Sequence, residues 1–76
     1  MPGHTYKTID LVGTSSEGVT EAIASAVARA SQTLKGLDWF EVGQIRGEIV
    51  EGRVAWYQVG VKIGFRVMSD EELKAQ

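Results

Sequence analysis

Ala55-Trp56-Tyr57-Gln58-Val59-Gly60-Val61-Lys62-Ile63-Gly64-Phe65-Arg66-Val67 is the stretch that decides the fold. Its odd positions are Ala55, Tyr57, Val59, Val61, Ile63, Phe65 and Val67, all apolar or aromatic. Its even positions include Gln58, Gly60, Lys62, Gly64 and Arg66. A period of two over so long a run is a β-strand with one face on a core and the other toward something more polar. Just upstream, Glu51-Gly52 is turn sequence. Asp38 to Glu51 and Arg53 to Val67 therefore read as a hairpin.

The earlier arm of the hairpin is less regular. Phe40 and Val42 put even positions on the apolar face, whereas Ile45 and Ile49 put odd positions there. This one-residue change of phase near Gly43-Gln44 implies a β-bulge, and glycine is a common occupant of one. With the bulge allowed for, Trp39, Glu41, Arg46 and Glu48 share one face, and Gln58 looks out on the same side.

Working toward the N-terminus, Ser16 to Lys35 carries Val19, Ile23, Val27, Ala30 and Leu34, an apolar stripe at helical spacing. Ala22, Ala24, Ala26 and Ala28 favour a helix and allow close packing. Thr14-Ser15-Ser16-Glu17 has the pattern of a capping box at its start, and Gly36 is placed to end it in the left-handed region. Tyr6 to Val12 alternates loosely as a first strand, and Gly13 breaks it. The chain is thus α+β, with element order β-α-β-β. A strand–helix–strand unit implies a right-handed crossover that leaves the first and second strands pointing the same way. The third strand has the strongest core pattern and belongs between them. The expected fold is a three-stranded antiparallel sheet in order 1-3-2, wrapped on one helix.

Length and composition restrict how such a chain holds together. All 76 residues form one domain, with an ordered core of about 5–68 and an acidic tail, 69–76. A chain this small buries only about 60% of its unfolded surface, and small scaffolds often need a staple. There is no cysteine and one histidine, His4, so neither disulfides nor a zinc site serves well. Oligomerisation is the staple that remains. Geometry agrees: a 14-residue strand is roughly 45 Å long at ~3.3 Å per residue. A compact globule of this length has a radius of gyration of about 11 Å and a diameter of about 30 Å. The hairpin overshoots its own globule, and one helix covers only one face of the sheet.

A formal charge of −2 leaves no basic footprint for nucleic acid. No apolar run approaches the ~20 residues of a membrane span, and the N-terminus lacks signal-peptide character. The cytoplasm is the expected compartment.

The search for catalytic chemistry finds neither a cysteine nucleophile nor a serine–histidine pair in ordered structure, and no phosphate loop or Gly-x-Gly-x-x-Gly. Gly13-Thr14-Ser15 ahead of the helix reads as an ordinary turn with a cap before it reads as an anion site. Asp70-Glu71-Glu72 reads as solvated tail before a cation site. Trp39 is the residue to weigh. It serves either as a core or interface tryptophan or, on the face away from the helix, as a stacking platform for a flat aromatic ligand. Gln58 either is solvated or uses its amide, both donor and acceptor, on the edge of a heterocycle. Arg46 either pairs with a phosphate or answers Glu48 or Glu41 across the strands. Trp56, near the turn, is given no role.

Taken together, Tyr6-Lys7, Leu11-Val12-Gly13-Thr14-Ser15, the helix, Leu37-Asp38-Trp39-Phe40-Glu41-Val42, Ile45-Arg46-Gly47 and Tyr57-Gln58-Val59 resemble the bacterial branch of the dodecins. The match runs from about Tyr6 to Val67 and rests on the ordered set rather than on one motif. Dodecins are β-α-β-β subunits of a hollow dodecamer that bind flavins in pairs, stacked between tryptophans of symmetry-related subunits. They store and buffer flavin and are not enzymes. The resemblance implies that Trp39 stacks on the flavin, that Gln58 bonds the ring edge, and that Arg46 lies near the phosphate end. It implies FMN as the ligand, with riboflavin or FAD as alternatives, and coenzyme A as a second ligand in some members. Two positions depart from the pattern. Gln44 stands where archaeal members are acidic, and Trp56 stands where a polar residue is expected.

The residues themselves add a constraint. Counted back from the turn, Arg46 lies opposite Gln58 within about one residue, while Trp39 lies about seven residues further along, roughly 20 Å away. If both touch one flavin, they come from different subunits. Two rivals remain: an assembly or interaction module in which Trp39 only seals an interface, and a small flavin-dependent enzyme.

Overall fold

The structure, a computed structural model, describes residues 4–67. The acidic tail expected at 69–76 lies outside the described residues. Four elements follow one another: β1 (Tyr6–Ser15), α1 (Val19–Ser31), β2 (Leu37–Val50) and β3 (Arg53–Arg66). The sheet order is β1-β3-β2, with β3 antiparallel to both neighbours. This is the expected β-α-β-β arrangement, with the most strongly alternating strand in the middle. No helix among the described residues is long and apolar enough to cross a membrane.

The core lies between α1 and one face of β3. Val59, Val61 and Ile63 are buried against Ala22, Ala26 and Ala30. The alanines recur every four residues and form a narrow stripe that lets the helix sit close to the sheet. The larger residues of the expected stripe, Val19, Ile23, Val27 and Leu34, flank that contact and are only partly buried. Closeness has a cost in space: a side chain at Gly13 would collide with the carbonyl oxygen of Ala22.

Three sequence expectations need correction. Gly13 does not end the first strand; β1 runs through it to Ser15, with Gly13 paired to Val59. Here glycine marks a close approach of the helix rather than a break. The helix does not begin at Ser16 under a capping box. Its N-cap is Gly18, without a side-chain cap, and Ser15 Oγ instead accepts from the Glu17 amide at 2.9 Å. Its other end falls at Ser31, so Gly36 is no helix cap. Gly36 does take positive φ (75°), but at the entry to β2, where its carbonyl accepts from the Arg66 amide at 3.0 Å. Leu34 packs on the core from the loop and so extends the apolar stripe beyond the helix that carries it.

The hairpin turns at Glu51-Gly52, both in the left-handed region (φ 52° and 76°). Positive φ at both central residues matches the twist of the flanking strands. The bulge expected at Gly43-Gln44 is present, since Val42 pairs with Val61 but Ile45 with Val59. Two further irregularities, at Leu37/Trp39 and Glu48/Ile49, bend the long strands. The molecule measures 54 × 21 × 14 Å with a radius of gyration of 15.5 Å. The compact value for this length is about 11 Å. The hairpin does overshoot, and its far end carries Ile45, Ile49, Val50 and Val54 exposed.

Candidate ligand-binding face

Alternation along β3 separates the two faces of the sheet. With Val59, Val61 and Ile63 turned to the helix, Gln58, Gly60, Lys62 and Gly64 occupy the opposite face. Trp39 pairs with Gly64 across the ladder. A Cβ at Gly64 would collide with the indole ring of Trp39, so the ring lies over that glycine on the face away from α1. Gly64 is itself buried. Trp39 remains 42% exposed, and its neighbour Phe40, opposite Ile63, takes the other face. The indole is thus held against backbone beneath it and open above. The irregularity at Leu37/Trp39 supplies the local phase that aims it there.

Arg46 pairs directly with Gln58. Its Nε donates to Gln58 Oε1 at 3.2 Å. The bond uses one lone pair of the amide oxygen and leaves the NH₂ to donate outward, while Arg46 keeps both Nη groups. Arg46 thus has a polar partner on its own strand pair, and that partner is Gln58 rather than Glu48 or Glu41. The two residues form one hydrogen-bonded unit on an exposed part of the sheet.

The three residues selected from sequence do not converge within one chain. They share a face, but Gly64, under Trp39, is six residues along β3 from Gln58. At ~3.3 Å per residue that is roughly 20 Å. Between the two lies a shallow hollow of about 300 Å³ over Gly60, edged by Asp10, Val12, Glu41 and Lys62. Lys62 stands between Asp10 and Glu41 in the register of the three strands, so opposite charges alternate across the floor.

Beyond Trp39, the Tyr6 phenol hydrogen-bonds the Asp38 carboxylate, which raises its pKa above the usual tyrosine value. Slight desolvation and the Asp38 charge act in the same direction, and Arg66 opposes them. Arg66 also approaches His4, Nη1 to Nδ1 at 3.4 Å. Sequence reading missed this cluster, and it missed the seat that Gly64 makes for Trp39. A glycine on the polar face of the strongest strand was the available signal for that seat.

Comparison with known proteins decides the family. The dodecin family model matches residues 5–68. This chain belongs to the dodecin family. A dodecin from Thermus thermophilus is 55% identical over 65 residues, which cover 86% of this chain and 94% of that protein. The dodecin structure from Streptomyces coelicolor superposes with a TM-score of 0.87 at 56% identity, covering 92% of this chain and all of the other. That from Streptomyces davaonensis gives 0.84 at 53% identity, covering 87% and 97%. The β1-β3-β2 sheet wrapped on one helix is therefore the dodecin architecture, and the Trp39 and Arg46–Gln58 positions lie on one face of it.

Proposed function

We propose that this dodecin binds flavin, with FMN as the first ligand, in a closed homo-oligomer of twelve chains, and that it stores flavin rather than acting on it. One observation carries this reading: an exposed indole seated over Gly64, on the same sheet face as an amide–guanidinium pair roughly 20 Å away. The donor set fits the ligand. An indole face suits stacking on an isoalloxazine. The outward NH₂ of Gln58 suits a carbonyl or ring nitrogen on the heterocycle edge, and Arg46 suits a phosphate. The separation means that Trp39 and the Arg46–Gln58 pair contact one flavin only when they come from different copies. The site is then a property of the assembly.

Stacked tryptophan excludes water from the flavin and quenches its excited state by electron transfer. We assign no residue a catalytic step. Riboflavin or FAD would use the same indole and amide. Coenzyme A as a second ligand rests on family resemblance alone. The cytoplasm, where free FMN is made and used, is the compartment this role requires. An assembly module without ligand is the reading that the exposed Ile45, Ile49 and Val54 would favour by themselves. It predicts the same oligomer with no flavin in it.

The deciding experiment is an FMN titration of the ligand-stripped oligomer, following flavin fluorescence and checking mass by light scattering. Strong quenching at about one flavin per chain on a dodecamer is the expected outcome. Trp39→Ala should lower affinity on the order of tenfold or more, the scale of one aromatic–base stack, and should restore fluorescence to whatever flavin remains bound. An oligomer that leaves FMN fluorescence unchanged would make Trp39 an interface residue and the protein an assembly module.

A further inference from the structure

Trp56 is a second large aromatic side chain left open on β3, 45% exposed. It lies two residues before Gln58 and shares its face. The irregularity at Glu48/Ile49 falls on the turn side of Trp56, so the phase between Trp56 and Gln58 is unbroken. Glu48 stands directly opposite Trp56, and Arg46, paired with Gln58, lies on the diagonal. Diagonal neighbours on one sheet face are about 7–8 Å apart, within reach of aromatic and long side chains. An indole, a carboxylate, a guanidinium and an amide therefore occupy two successive pairs on this face, with the Gly47–Tyr57 pair between them turned to the other side.

Each of these groups matches a different part of a nucleotide. The amide NH₂ of Gln58 and the Nη groups of Arg46 serve a heterocycle edge and a phosphate, and together they suffice for a mononucleotide flavin. The Trp56–Glu48 rung then remains unused. It offers a stacking face beside a carboxylate acceptor, and its own charge is negative, so the nearby Arg46 is the cation that serves an anion. An adenine ring answers both features: its π-face stacks on an indole, and its exocyclic amino group donates to a carboxylate. A phosphate beside Glu48 would be repelled, which keeps a pyrophosphate on the Arg46 side.

We propose that Trp56, with Glu48 opposite it, is a specificity-determining pair that takes the adenine of a flavin dinucleotide, so that this chain holds FAD more tightly than its FMN contacts alone allow. The inference rests on the flavin-binding reading above and deepens it. The remainder of the ligand uses the Arg46–Gln58 rung, as FMN does.

The test is parallel titration of riboflavin, FMN and FAD into the stripped oligomer of the parent chain, Trp56→Thr and Trp56→Phe, with mass checked by light scattering. Trp56→Thr should weaken FAD binding about tenfold and change riboflavin and FMN less than about twofold, within ordinary surface-substitution effects. Trp56→Phe, which keeps a stacking face, should recover most of the FAD affinity. Equal losses for FMN and FAD, or none for either, would overturn the pair's role while leaving flavin binding intact. A parent oligomer that binds no flavin would overturn both readings together.

Discussion

The geometry around Trp39 makes a demand on one other residue. The indole reaches its position because Gly64 has no side chain: a Cβ there would collide with the ring. β3 does not need glycine for its own conformation at that point, since Gly64 is absent from the positive-φ positions, Glu51, Gly36 and Gly52. The requirement is space. Gly64→Ala should therefore preserve the sheet and displace the indole. Circular dichroism of the variant should match the parent, and FMN affinity should fall by on the order of tenfold, as for loss of a stacked aromatic. An unchanged affinity would mean that the ring finds an equivalent seat and that Gly64 is incidental. A sequence reader can place Trp39 on the right face from alternation. Its seat depends on the irregularity at Leu37/Trp39, which shifts the register by one residue and leaves no local signal as clear as Gly43.

At the scale of elements, β3 and the hairpin turn were legible because they obey local rules: period two, and a turn sequence with two left-handed positions. The Gly43-Gln44 bulge was legible because a phase change in apolar positions has no other simple cause. The helix ends were misread for a physical reason. Ser15 and Glu17 have the composition of a cap, but they close a short turn with each other, one residue before an N-cap that is glycine. Gly13 was misread as a breaker because a missing side chain looks the same in sequence whether it frees the backbone or admits a neighbour. Its true role gives a prediction. Gly13→Ala must push α1 away from the sheet at Ala22, whose carbonyl oxygen the new methyl group would meet. Overpacking of this kind costs about 1–3 kcal/mol. The thermal midpoint should fall by roughly 4–8 °C per kcal/mol in a domain of this size. The proposed flavin contacts lie on the other face and should be affected only through stability. A variant as stable as the parent would show that the helix shifts without cost.

For the whole molecule, the main question is what the hairpin overhang is for. An isolated chain 54 Å long, with Ile49 73% exposed and Ile45, Val50 and Val54 also exposed, gathers large apolar side chains at one end, as interaction surfaces do. The opposite demand comes from the proposed ligand face, where Trp39 and the Arg46–Gln58 pair, roughly 20 Å apart, are too distant to share a flavin within one chain. Both observations are met if neighbouring copies cover the overhang and, in doing so, bring the indole of one chain to the amide–guanidinium pair of another. Ile49→Asp tests this link, because it alters neither Trp39, Gln58 nor Arg46 and falls at an exposed position. Light scattering should show a species much smaller than twelve chains. Circular dichroism should retain the α+β spectrum, and FMN should bind at least tenfold more weakly than to the parent, in proportion to the residual assembly. A small species that still binds and quenches FMN at parental affinity would place the whole site within one chain, and the roughly 20 Å between Trp39 and Gln58 would then exclude one of them from it.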